Sequence, residues 1–136
     1  MPTWAAGARK SQTRNQGRAS YFSGIAAEET TARMYVRQGA TLLGQRVRTP
    51  EGELDLVLQK DGVLVFVEVK KRRKLHLHDS PVSRKQWDRL EKAALHYMIS
   101  VQDETGVQPV CRFDVALMGP DGSVQIIENA RSFDEH

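Results

Sequence analysis

The stretch that most constrains this chain is a pair of apolar runs separated by Asp61-Gly62. Glu53-Leu-Asp-Leu-Val-Leu-Gln59 precedes it and Val63-Leu-Val-Phe-Val-Glu-Val-Lys70 follows it. Branched residues on both sides of an Asp-Gly pair predict a β-hairpin, because that dipeptide tolerates the positive φ angles of a type I′ turn. A two-residue turn fixes the register, and any even loop centred there gives the same one. Lys60 then faces Val63, Asp55 faces Glu68, and Glu53 faces Lys70. Side chains alternate between the two faces of a strand, so Glu53, Asp55, Glu68 and Lys70 share one face while Val63, Val65, Val67 and Val69 point the other way. Directly opposed Cβ atoms stand about 4.5–5.5 Å apart, and like charges at that spacing destabilise a sheet. A divalent cation removes the conflict, since hard oxygen ligands suit Mg²⁺ or Mn²⁺. Lys70, two residues beyond Glu68 on the same face, is placed to hold an attacking water or to steady charge developing on a phosphoryl group. An ordinary Glu53–Lys70 ion pair with Asp55 and Glu68 near solvent is the plainer reading, and it leaves their apposition unexplained.

The 136 residues fit one domain. Residues 1–20 are polar and basic, with Arg9, Lys10, Arg14 and Arg18 and no acid, and read as a mobile arm before a domain spanning 21–136. A helix is expected from an N-cap at Ser23 to about Gln38, ended by Gly39. Ile25, Ala32, Tyr35 and Val36 fall on one face of it, and Glu28 lies within that face, where a carboxylate is costly unless paired or bound. Thr41 to Arg48 reads as a strand, closed by Pro50 and Gly52. A second helix is expected from Ser83 to about Val101. Ser83 and Gln86 form its capping box, and Trp87, Leu90, Ala94, Met98 and Val101 its buried stripe. Strands over Val110–Met118 and Ser123–Ile127 follow, joined by Gly119-Pro-Asp-Gly122. The order α-β-β-β-α-β-β predicts an α/β fold, a mixed sheet with flanking helices.

Net charge is only +3 but unevenly spread. Residues 1–48 hold eight Lys/Arg against two acids, residues 60–92 hold ten against five, and residues 103–136 hold two against seven. That asymmetry suits one positive surface for phosphates, or else a solvated face. Lys71-Arg72-Arg73-Lys74 continues from Lys70 and is placed to follow a phosphate backbone. Arg84, Lys85 and Gln86 open the second helix, where N–H groups and the helix dipole favour an anion. The single cysteine, Cys111, suits a reducing cytoplasm and excludes an internal disulfide. No apolar run is long enough to span a membrane, and the N-terminus has no apolar signal core, so a cytoplasmic location is expected. His76-x-His78 reads as a loop, not a zinc site. His96 reads as a helix residue, structural or exposed. Cys111 reads as a small buried residue, and Trp87 and Tyr97 as core residues.

Gly52-Glu-Leu-Asp-Leu56 followed by Phe66-Val-Glu-Val-Lys70 resembles the core of PD-(D/E)XK nucleases. Adding Gly24-x3-Glu28, Gly39, Arg72 and Arg112-Phe-Asp114, the chain over about residues 24–133 resembles the YraN family. This is a bacterial group described as endonuclease-like and similar to archaeal Holliday-junction resolvases. The resemblance implies a restriction-endonuclease-like fold, with Glu28, Asp55 and Glu68 around Mg²⁺ or Mn²⁺ and Lys70 beside them as catalytic residues. It implies DNA, including branched or junction DNA, as substrate, hydrolysed at its phosphodiester bonds, and possession of a homodimeric state by analogy with the resolvases. RNA is the other nucleic acid that backbone contacts of this kind would accept. The superfamily's proline is absent, since Leu54 precedes Asp55, and an asparagine common before the Gly52–Leu56 segment is here Arg46, a further phosphate-contact candidate. Two other functions are consistent with the sequence: a non-catalytic nucleic-acid-binding module on the same fold, and a protein-interaction adaptor with a basic face.

Overall fold

The computed structural model describes residues 16–71 and 81–131. Its elements are α1 (Gln16–Arg37), β1 (Thr41–Thr49), β2 (Gly52–Lys60), β3 (Val63–Lys71), α2 (Arg84–Thr105), β4 (Val110–Met118) and β5 (Val124–Arg131). The expected order is the observed one. One five-stranded sheet runs β1-β2-β3-β4-β5. Every neighbour is antiparallel except β3 and β4, which are parallel and connected through α2. A parallel pair needs such a crossover, whereas antiparallel neighbours close with short turns.

The hairpin forms as its turn dictates. Asp61 and Gly62 both take positive φ, 52° and 79°, and Lys60 pairs with Val63. The ladder keeps the expected register as far as Leu56 and Val67. There it stops, and the expected ladder positions Asp55–Glu68 and Glu53–Lys70 do not pair. Like charges directly opposite each other disfavour continuation. The Asp55 carboxylate instead accepts the Val69 N–H through Oδ2 at 2.9 Å, and β2 continues along β1, with Leu54 opposite Val47 and Glu53 opposite Arg48. The sheet therefore forks between β2 and β3 at the acidic residues.

The alternation of the strands builds two cores. On one face Val57, Leu64, Phe66, Phe113, Val115 and Leu117 pack with Trp87, Leu90, Ala93 and Ala94 of α2. Phe66 meets Phe113 and the edge of Tyr97, and Trp87 meets Phe113 edge-on, so Trp87 and Tyr97 are core residues as expected. On the other face Leu56, Leu58, Val65, Val67 and Ala116 pack with Ala32 and Tyr35 of α1. Leu54 belongs to the α2 side together with Val57, so the alternation of β2 slips by one across Asp55. Truncating a buried aromatic such as Phe66 to alanine costs about 3–5 kcal/mol in a core of this kind.

Several boundaries differ from expectation. The first helix begins at Gln16, so Ser23 lies inside it and residues 16–20 of the expected arm belong to it. Residues 1–15 lie outside the described residues. Val36 is exposed, because the buried stripe runs through Ile25, Glu28, Ala32 and Tyr35 and Val36 lies one step round the helix from it. The second helix starts at Ser83's cap as expected. Ser83 Oγ accepts the Gln86 N–H and the Gln86 side chain accepts the Ser83 N–H. It continues to Thr105, where Gly106 in the left-handed conformation closes it. The last strand extends past Ile127 to Arg131. Its second half is polar in sequence but anchored from inside, through the Asn129 N–H on Asp114 Oδ1 and Arg131 on Glu91 at 2.8 Å.

Candidate functional site

The fork opens a cleft of about 360 Å³ lined by Glu28, Gly52, Glu53, Asp55, Glu68, Val69, Lys70 and Arg89. The four residues singled out as catalytic, Glu28, Asp55, Glu68 and Lys70, thus meet at one place from three elements. The Glu68 side chain is 8% exposed and Lys70 Nζ lies 3.7 Å from its Oε2. Burial, a hydrogen bond with Asp55 and the Asp55 charge push the Glu68 carboxyl up to about 9, against the pull of Lys70 and Arg89. A buried carboxyl beside a second one keeps its proton unless a cation takes its place.

Glu28 forms the α1 wall. Its Oε1 accepts from Gln45 Nε2 and from Arg46 Nε, each at 3.0 Å. Burial raises its pKa first, the Gln45 hydrogen bond opposes that, and Asp55 adds to the rise. Arg46 holds φ at +51° inside β1, a conformation that asparagine accepts far more readily than a long side chain does. Its Nη2 lies 3.6 Å from where a Cβ on Gly24 would stand, so a helix backbone without a side chain forms its floor. Gln45 is buried, and its Oε1 has no partner among the described residues. An amide kept in that position is explained by what its nitrogen holds, the Glu28 carboxylate.

Comparison with known proteins bears on what carries this cleft. The model of the uncharacterised protein family UPF0102 matches residues 27–118, which contain Glu28, Asp55, Glu68 and Lys70. The chain belongs to UPF0102. A UPF0102 protein of Cereibacter sphaeroides is 39% identical over 114 residues, covering 84% of this chain and 96% of that protein. One from Roseobacter denitrificans is 40% identical over 116 residues, covering 85% and 88%. One from Azorhizobium caulinodans is 36% identical over 118 residues, covering 86% and 88%.

In this UPF0102 chain, Asp114 of the Arg112-Phe-Asp114 motif takes no part in the cleft. It is fully buried and accepts from Tyr35 Oη at 2.7 Å, from Arg112 Nε and Nη2 at 3.1 and 3.2 Å, and from the Asn129 N–H at 2.9 Å. Burial and that carboxylate raise the Tyr35 pKa. The result is a clamp that pins α1, and with it Glu28, to the centre of the sheet.

The remaining sequence candidates divide. Lys71, Arg84 and Lys85 are exposed near the ends of β3 and α2. Gln86 is engaged in the helix cap. Arg72, Arg73, Lys74, His76 and His78 lie outside the described residues. Glu53 pairs with Arg48 at 3.4 Å and not with Lys70. Cys111 has its thiol pushed up to about 11 by burial, which suits a packing residue. Sequence reasoning missed Arg89, which lines the cleft with its stem against Gly52, where a Cβ would come within 3.1 Å of Arg89 Cδ. Its signal was the spacing Lys85-x3-Arg89, which puts both on one helix face. Gln45 was missed because a glutamine in a strand carries no motif.

A divalent ion fits the Asp55–Glu68 pair by the chemistry of its donors: two carboxylates, hard oxygens, in a cleft with room for water. Mg²⁺ in particular is held by one or two carboxylates and otherwise by water. Among the described residues no trio of His, Cys, Asp and Glu is gathered to hold an ion. Glu28, expected as the third ligand, is engaged with Gln45 and Arg46. No helix among the described residues is long and apolar enough to cross a membrane.

Proposed function

We propose that this protein is a metal-dependent phosphodiesterase of the PD-(D/E)XK type acting on DNA, as its likeness to the YraN family implies. The observation that carries the reading is the Asp55–Glu68 carboxyl pair with Lys70 beside Glu68, set in a cleft where the sheet forks. Asp55 and Glu68 would hold Mg²⁺ or Mn²⁺, which when bound supplies Lewis acidity to the phosphate and lowers the pKa of a water. Lys70 holds the attacking water through its ammonium and offers a positive charge to the oxygen that becomes negative as the phosphorus gains a fifth bond. Glu68, drawing Lys70 to 3.7 Å, fixes where that ammonium stands. Arg89 closes the other side of the cleft and neutralises a phosphate oxygen. Hydrolysis balances as water oxygen bonding to phosphorus, the phosphorus–oxygen bond to the departing nucleotide breaking, and a proton reaching that oxygen. The exposed cations Lys71, Arg84 and Lys85 hold the DNA backbone. Contacts of that kind read shape before sequence, which suits a branched or junction substrate.

The test is cleavage of labelled single-stranded, duplex, flapped and four-way-junction DNA with Mg²⁺ or Mn²⁺, beside Glu68→Ala and Lys70→Ala. Metal-dependent cutting lost in both variants is expected, by a factor of about 10² or more. Wild-type protein that binds these DNAs without cutting any of them overturns the hydrolase reading in favour of a binding module. Absence of DNA binding at low salt, with a protein partner retained on purification, points to the adaptor.

A further inference from the structure

We infer that Arg46, paired with Glu28 on the cleft wall, stands in place of a second metal ion, so that the site takes one divalent ion on Asp55 and Glu68. This rests on the proposed metal-dependent reading and specifies it. Glu28 is 6% exposed and both of its hydrogen-bond donors, Gln45 and Arg46, converge on Oε1, so a second ion would have to share this carboxylate with a guanidinium 3.0 Å away. The Glu28–Arg46 contact at 3.0 Å is an ion pair with its carboxylate out of water, the setting in which such a pair is hard to open. The chain accepts an unfavourable φ at Arg46 to make it, and the guanidinium packs beside Gly24 of α1.

Charge counting gives the stoichiometry. Glu28, Asp55 and Glu68, all ionised, face Arg46 and Lys70, each already paired with one of them. One negative charge is left over. One dication reverses it, and a second would leave three positive charges before any phosphate arrived, with Arg89 adding another. Arginine stays charged at every working pH, so Arg46 is a cation that cannot be diluted away or chelated. The carboxylate it pairs with is the one a second ion would need, and its fixed charge repels that ion.

Titration of the full-length protein with Mn²⁺, followed by loss of the free-ion electron paramagnetic resonance signal, decides this without reference to activity. Wild type binds one ion per chain. Arg46→Asn and Arg46→Gly both suit the positive φ, so the backbone is kept, and each gains a second ion. Adding Glu28→Gln to Arg46→Asn returns the count to one, and Glu28→Gln alone also binds one ion, since Asp55 and Glu68 remain. Two ions on wild type, one ion on both Arg46 variants, or no ion on Glu28→Gln alone would each overturn the inference while leaving the metal-dependent reading standing. No ion on any of the proteins overturns both.

Discussion

Glu68 stores a conflict at the scale of one side chain. Its carboxyl lies at about 9, raised from an ordinary 4.5 chiefly by burial and then by Asp55. Between those two values the folded protein keeps a proton that the unfolded chain has lost, so stability falls as pH rises through that window. Glu28, shifted in the same direction, adds to the trend. The stabilisation tied to the protonated carboxyl is complete below about 4.5 and gone above about 9. Chemical denaturation from pH 5.5 to 8.5 is therefore expected to show wild type losing stability faster than Glu68→Gln, which keeps the shape and removes the titration. Saturating Mg²⁺ flattens the wild-type curve, because the ion takes the place of the proton, and it raises stability most at the alkaline end. Parallel pH curves for wild type and Glu68→Gln would refute this account of the pair.

The position of Glu28 is decided at the scale of elements. Glu28 and Tyr35 lie two turns apart on the buried stripe of α1, and Tyr35 Oη is fixed on Asp114 in β4. Tyr35→Phe removes that donor from a fully buried carboxylate that retains Arg112 and the Asn129 N–H, and is expected to cost about 1–3 kcal/mol in urea denaturation. Asp114→Ala strands Tyr35, Arg112 and the Asn129 N–H together and is expected to cost about 3–5 kcal/mol. A loss below about 0.5 kcal/mol from Asp114→Ala would mean the clamp is idle. The sequence displayed the hairpin, its register, both helices, the sheet-forming runs and the four cleft residues, because Asp61-Gly62, period-two alternation and the Ser83/Gln86 box are local signals. It did not display the fork. The register argument assumes a ladder that continues, whereas Asp55 takes the Val69 N–H for its own carboxylate and the strands part. Nor did it display Asp114 as a hub or Gln45 and Arg46 as partners of Glu28, since those contacts join residues 15 to 79 positions apart. The length of β5 was hidden for a similar reason: its polar end is held by Asp114 and Glu91 on other elements.

At the scale of the molecule, the cleft opens at one end of the hairpin while the Asp61-Gly62 turn marks the other. Five residues of strand separate Asp55 from Lys60, about 16 Å at roughly 3.3 Å per residue. Cations near the fork and cations near the turn are thus distinguishable by their effect on a long polyanion. Lys85 and Arg89 lie four apart on α2, with Arg89 in the cleft, and Lys71 stands exposed at the end of β3, next to Lys70 of the cleft. Arg112 and Arg131 are occupied by Asp114, Glu128 and Glu91, so much of the remaining positive charge is committed to the fold. If DNA crosses the fork, each backbone phosphate neutralised there contributes about 0.9 to the slope of log affinity against log salt. Lys71→Ala with Lys85→Ala is expected to lower that slope by about 2, and Lys60→Ala to leave it unchanged, measured by fluorescence anisotropy of a labelled junction in Ca²⁺ across a KCl series. Equal effects from Lys60 and from the fork pair would indicate a diffuse charge cloud without a track. An effect from Lys60 alone would place the DNA at the turn and detach it from the Asp55–Glu68 cleft.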